Sequence, residues 1–327
     1  ARRHASSKDS VIAGLAKGGA VVLFHASSED LSDYYSLEDQ ILSQDGSKDG
    51  SGVGTSNGKM NVLFQRSCSF HTVTSLKSMD RRSARTLQKQ DTTKDQFVHE
   101  IRLLRQMDHP NIAKLYEVFE DAAQYHLVIE CSDMGSLSEV ILSQKDANPE
   151  NNLVCSEIQV SNVMKQILVA VLYMHGHMIC HRDLRPKVIM LHDIGQGLDT
   201  CLVRVVDMSS AYKMKKHHHI HGLAGRLEWS APELLAAAST YGKAVDMWAS
   251  GCIMHSMLCG SSPFGGQIGE HLSHEEEIEV QGRIQRGDLP EQQWLDSRVS
   301  RAAVKLLKRM LCCDESKRCT PHQATFA

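Results

Sequence analysis

The apolar positions change their period along the chain. Residues 34–42 (YYSLEDQIL) alternate at their start as a strand does, and 62–64 (VLF) form a short apolar strand. From Thr92 to Met107 the apolar residues Phe97, Ile101, Leu104 and Met107 recur at helical spacing, which predicts a helix with one buried stripe. Residues 115–119 and 126–129 return to strand-like runs. After Cys131 the pattern turns helical. Ser156-Glu157-Ile158-Gln159 spells a capping box, and the helix it opens carries Val163, Ile167, Val171 and Met174 on one face. Residues 201–206 read as another short strand. The run 244–258 is apolar nearly all round, which predicts a helix buried on every side. The run 301–311 is amphipathic, with Ala303, Leu306, Leu307 and Met310 on one side. Strands first and helices after predict an α+β protein, a strand-rich part joined to a helix-rich part.

Between these elements lies one stretch of a different kind. Residues 43–59 (SQDGSKDGSGVGTSNGK) are too polar and too rich in glycine to bury a face, and read as a flexible loop. The expected organisation is a 1–32 extension, a strand-rich 33–130 with an expanded Gly/Ser-rich loop at 43–60, and a helical 131–327. At 327 residues the chain is long enough for two packed cores. A net charge of −3 gives no global field that argues for nucleic acid. No run reaches the length of a membrane span; the best, 11–24, is broken by Lys17, Gly18 and Gly19. Arg2 and Arg3 precede that run as in a signal peptide, but no clean cleavage pattern follows. Ten cysteines, none in a Cys-x-x-Cys pair, fit reduced thiols and a cytoplasmic location better than a disulfide scaffold. The chain begins at Ala1 and not at Met, which reads as a fragment or a processed form.

From His181 the chain reads HRDLRPKVIM. Asp207-Met208-Ser209 follows, then Ala231-Pro232-Glu233. This resembles the protein-kinase series His-Arg-Asp, Asp-Phe-Gly, Ala-Pro-Glu in order and spacing. Asp246-Met247-Trp248-Ala249-Ser250-Gly251 looks like the family's buried helix, and His109-Pro110-Asn111-Ile112 like the turn after its regulatory helix. Arg318 stands where the family pairs an arginine with the Ala-Pro-Glu carboxylate, here Glu233. The wording of 103–121, 262–267 and 310–320 is similar to the calcium-dependent and calmodulin-dependent Ser/Thr kinase group, although no EF-hand loop spelling is present. The resemblance, covering roughly 34–325, implies a bilobal kinase fold with an ATP-type cleft, and ATP and Mg2+ as weakly held cofactors. It also implies a protein substrate or partner.

The same resemblance implies roles. Lys77 is the expected phosphate lysine, counted fifteen residues on from Val62, with a rival register that puts Thr74 there. Glu100 is its expected carboxylate partner. Ile129 would sit at the back of the cleft, and with Glu130 and Cys131 it is an expected ATP-binding residue, as are Lys77, Glu100 and Asp207. Asp183 is the expected catalytic base, with Arg185 in place of the catalytic-loop lysine, and Asp207 the expected metal ligand. Against these stand departures. Val188 replaces the asparagine that binds the second metal, and valine offers no oxygen to a hard cation. Ser209 replaces the glycine of Asp-Phe-Gly, and Met208 its phenylalanine. The glycine loop has no phosphate-cradle spacing: its three positions fall on Ser43, Asp45 and beyond, or on Thr55, Asn57 and Met60. Arg226 replaces a threonine that touches the catalytic aspartate, and either pairs with Asp183 or points to solvent. His217, His218, His219 and His221 read as a solvated basic loop before a metal cluster. Two readings stand: a pseudokinase acting as a binding or allosteric module, and an active Ser/Thr kinase with atypical metal use.

Overall fold

The computed structural model describes residues 23–25, 31, 34–44, 68–75, 81–149, 152–195, 197–215, 220–236, 240–269 and 271–325. It divides into two units, Ala1–Asp133 and Met134–Ala327, three residues beyond the expected boundary.

The first unit is built on a six-stranded sheet. Its strands are β1 (Leu23–His25), β2 (Tyr35–Gln44), β3 (Cys68–Ser75), β4 (Arg81–Gln88), β5 (Leu115–Glu120) and β6 (Gln124–Glu130), in the order β1-β5-β6-β4-β3-β2. All neighbours are antiparallel except β1, which runs parallel to β5 with Leu23 opposite Glu117. The expected 1–32 extension therefore supplies an edge strand. Leu31 and Tyr34 then pack on Ala84, Phe119 and Val128, with the Tyr34 and Phe119 rings 5.6 Å apart. The expected strand at 62–64, and all of the 43–60 loop beyond Gln44, lie outside the described residues.

Helix α1 (Lys94–Leu104) starts at Thr93, whose hydroxyl accepts from the Gln96 amide while the Gln96 side chain accepts from the Thr93 amide. Its predicted stripe is buried: Phe97, Ile101 and Leu104 are at most 2% exposed. Phe97 stacks on Tyr125 of β6 at 3.9 Å, fixing the helix to the sheet.

The second unit is helical. Helix α2 (Leu137–Ala147) is capped by Ser136. Helix α3 (Glu157–Gly176) is capped by Ser156 through the expected box with Gln159, and Val163, Ile167, Val171 and Met174 are fully buried. Then come the strand pair β7 (Ile179–Cys180) and β10 (Tyr212–Lys213), and the hairpin β8 (Ile189–His192) and β9 (Leu202–Val205). After α4 (Pro232–Leu235) runs α5 (Ala244–Cys259), buried from Val245 to Leu258 as its apolar circumference requires. Gly251 lets α5 approach α8 (Arg301–Met310): a Cβ there would stand 2.9 Å from Met310 Cβ. Helices α6 (His274–Arg286), α7 (Glu291–Asp296) and α9 (Pro321–Thr325) complete the unit. Among the described residues no helix is long and apolar enough to cross a membrane.

Candidate active site

In the helical unit the hairpin β8–β9 does the positioning. Ile189 pairs with Val205, so the loop before β8 and the loop after β9 emerge at the same end, and the Val206 amide donates to Val188 O at 3.1 Å. The first loop carries Asp183 and Arg185; the second carries Asp207.

The loop 181–183 is anchored from below. Asp246, fully buried at the start of α5, accepts from the amides of His181 and Arg182, both at 2.9 Å, and from His175 Nε2 at 2.8 Å. Burial pushes the Asp246 carboxyl up. The His175 hydrogen bond and charge, His181 and the Arg182 amide outweigh that and hold it below the ordinary value. Fixing two successive amides holds Arg182 at φ 68°, a conformation an L side chain rarely takes.

Around Asp183 the electrostatics are mixed. Burial raises its carboxyl above the ordinary range. The Arg185, His181 and Arg226 charges pull it down, and Asp207 pushes it up, with a net rise. Arg185 Nε stands 3.3 Å from Asp183 Oδ1. Gly225 lies directly on this loop at φ 79°: a Cβ would come to 2.6 Å from Arg182 O and 3.2 Å from Asp183 Oδ1, so no side chain fits. The Arg226 guanidinium acts on Asp183 as the weakest of these contributions. Its backbone carbonyl accepts from Ser230 Oγ at 2.7 Å and caps the turn Leu227–Trp229.

Asp207 Oδ1 accepts from the Ser209 amide at 2.8 Å, so a serine in place of glycine still makes this turn. Met208 is fully buried, filling apolar space as a phenylalanine would. Val188 is buried at 3% exposure, with its methyls in the core. Asp207 thus offers one carboxylate of the kind a hard cation takes, and residue 188 offers no oxygen beside it. Among the described residues no group of three or more His, Cys, Asp or Glu side chains is placed to hold a metal. His217, His218 and His219 lie outside them. The scaffold pair expected at the base of the unit is made: Arg318 grips Glu233 with Nη1–Oε1 at 2.6 Å and Nη2–Oε2 at 2.9 Å.

In the strand-rich unit Glu100 of α1 does have a buried cation, but it is not the expected one. Arg85 Nη1 of β4 donates to Glu100 Oε1, and the two residues are 0% and 1% exposed. Lys77 lies outside the described residues; the place that the expectation gave to Lys77 in the pairing is taken by Arg85. The rival at Thr74 sits on β3, opposite Arg81. Ile129 is buried on β6 opposite Ser83; the Glu130 amide donates to Lys114 O at 3.0 Å; Cys131 follows the strand half-buried. Sequence reasoning missed Arg85. The signal for it was there: Ser83-Ala84-Arg85 follows the family's Ala-x-Lys with serine for the alanine and arginine for the lysine, fifteen residues before Glu100.

Comparison with known proteins accords with this geometry. The family model described as "Protein kinase domain" matches residues 62–326. Calcium-dependent protein kinase 5 of Plasmodium falciparum is 35% identical over 54% of this chain and 29% of its own length. The Probable serine/threonine-protein kinase fhkE of Dictyostelium discoideum is 32% identical over 69% of this chain and 30% of its own. Calcium-dependent protein kinase 4 of Plasmodium falciparum is 29% identical over 72% and 41% respectively. The chain thus spans well under half the length of these curated relatives.

Proposed function

Because this chain belongs to the protein kinase family, we propose that it is a degenerate kinase domain, with weak or absent phosphoryl transfer, that serves as a binding or allosteric module. The observation that carries the reading is Val188: a buried apolar side chain occupies the position from which the family's asparagine reaches the second metal. Phosphoryl transfer rests on positioning and charge neutralisation, so a missing metal ligand removes a large part of what the fold offers. Two further substitutions act in the same direction. Arg85 stands where a lysine would offer a compact charge to phosphate, and its planar fork is turned to Glu100. The stretch 43–60 lacks the glycine spacing of a backbone phosphate cradle.

The second reading, an active Ser/Thr kinase with atypical metal use, draws support from one observation. Asp183 and Asp207 are both retained, and near enough that the charge of Asp207 raises the Asp183 carboxyl. ATP with a single Mg2+ on Asp207 is the cofactor state this arrangement favours, and a protein is the partner or substrate.

A thermal-shift titration with ATP separates the two. The degenerate reading expects a small shift that Mg2+ barely enlarges, and peptide phosphorylation at the level of an Asp183→Asn control. A large Mg2+-dependent shift, with phosphorylation that Asp183→Asn abolishes, would establish the second reading instead. Removing one preorganised electrostatic group commonly costs about 10²–10³ in rate, so Val188→Asn is the variant expected to raise any residual activity.

A further inference from the structure

Between Lys213 and Trp229 the chain contains no Ser, Thr or Tyr. Kinases commonly order this segment with a phosphate that pairs with arginine. Here that stretch has no hydroxyl to carry one, yet it is tied to the loop that holds Asp183. We infer that the buried hydroxyl of Tyr241, in place of a phosphate, positions this segment against the catalytic loop, and that Tyr241 does so through Arg182.

The geometry is a small closed network. Tyr241, 1% exposed, precedes α5 and forms an isolated antiparallel bridge with Ile220: the Ile220 amide donates to Tyr241 O at 3.0 Å and the Tyr241 amide to Ile220 O at 3.1 Å. Its phenol donates to Gly222 O at 2.7 Å and accepts from Arg182 Nη1 at 3.2 Å, so both its donor and an acceptor site are used. Arg182 Nε donates to Ser210 O at 2.7 Å, and the guanidinium lies 5.4 Å from the Tyr212 ring centroid. Ser210 and Tyr212, just before the stretch, and Gly222 within it therefore converge on one guanidinium and one phenol. Arg182 is itself fixed by its amide to Asp246, so the segment is referenced to the same carboxylate that sets Asp183. Burial raises the Tyr241 phenol above its ordinary value, which keeps it a donor at neutral pH. A charge-assisted bond from guanidinium to phenol does, without modification, what an arginine–phosphate pair does after it. The inference stands whether or not the domain transfers phosphate, since it concerns where the segment sits.

Hydrogen exchange on the full chain tests it, read on the amides of Ile220 and Tyr241 and on peptides spanning 220–226. Protection is expected to be the same before and after treatment with a broad-specificity protein phosphatase. Tyr241→Phe keeps the ring and removes only the hydroxyl; it is expected to speed exchange at these amides by about tenfold or more while α5 exchanges as in the wild type. Arg182→Lys, which removes the fork but keeps the charge, is expected to loosen the same amides. Loss of protection on phosphatase treatment, or wild-type exchange in Tyr241→Phe, overturns the inference. So does a Tyr241→Phe variant that loosens α5 equally, because the hydroxyl would then be an ordinary packing contact.

Discussion

A guanidinium and a carboxylate that share a dry interior stabilise each other only as a pair, and Arg85 with Glu100 is such a pair. Glu100→Ala strands a buried charge and is expected to cost about 3–5 kcal/mol in urea denaturation. The double change Arg85→Met with Glu100→Leu is expected to recover most of that, since apolar side chains of similar volume tolerate the same space. A single Glu100→Ala with wild-type stability would show that the pair is not closed in solution. The pair also shows why the partner of Glu100 was not found from sequence. Counting forward from Val62 takes 62–64 as the strand after the glycine loop, whereas the strand that pairs with β4 is β3 at Cys68–Ser75. Counting back from Glu100, to the strand that helix α1 packs beside, finds Arg85. The acidic residues were easier to read, because Asp183, Asp207 and Asp246 stand within spelled motifs. Asp183 gives a second test at this scale. Its carboxyl is raised chiefly by burial, so its charged form is disfavoured in the fold. Between its ordinary value and its raised one the folded state binds more protons, and above both the charge is a net cost. Asp183→Asn is therefore expected to melt higher than the wild type at pH 7, by a few degrees on the usual scale of about 2–4 °C per kcal/mol.

Elements differ in how openly they declare themselves. Helices α3 and α5 were legible because their signals are local: a capping box starts one, and a nearly continuous apolar circumference marks the other. Strand β4 was not legible. It lies inside the sheet between β6 and β3, yet it reads Arg-Arg-Ser-Ala-Arg-Thr-Leu-Gln, and its buried positions include Ser83, Arg85 and Thr86. Each polar group there is met by a distant one: Ser83 Oγ by the Ser132 amide at 3.1 Å, Thr86 Oγ1 by His126 Nδ1 at 2.9 Å, and Arg85 by Glu100. Polarity paired across the fold leaves no local period to detect. The contact of α5 with α7 makes a further prediction. Trp294 Nε1 donates to His255 Nδ1 at 2.8 Å, and burial pushes His255 down to about 3. The unfolded chain takes up this proton near the ordinary value of 6.5 while the folded chain does not. The stability contribution is thus whole above pH 6.5 and falls as pH drops toward 3, by at most about 1.4 kcal/mol per unit. His255→Gln, which keeps an acceptor for Trp294 without a titrating ring, is expected to flatten the melting profile between pH 6.5 and 5. An unchanged slope would assign the acid sensitivity elsewhere.

For the whole molecule, composition placed the chain among globular proteins, and the order of strands and helices gave its two units. The extension before residue 33 was the part whose role stayed hidden, since three residues in a parallel strand carry no periodicity of their own. That strand has a practical consequence. β5 would otherwise present open amides and carbonyls at Glu117–Phe119, the kind of border along which sheets of separate molecules join. With Leu23–His25 laid there, the chain's own backbone covers that border, a guard against joining to its copies. A shortened chain beginning at Leu31 retains Leu31 and Tyr34 over the Phe119 cluster but loses the guard. Light scattering after gel filtration is expected to show it drifting to higher mass with concentration and time, while the full chain holds its size. Equal behaviour of the two would mean that the border is shielded by something other than β1.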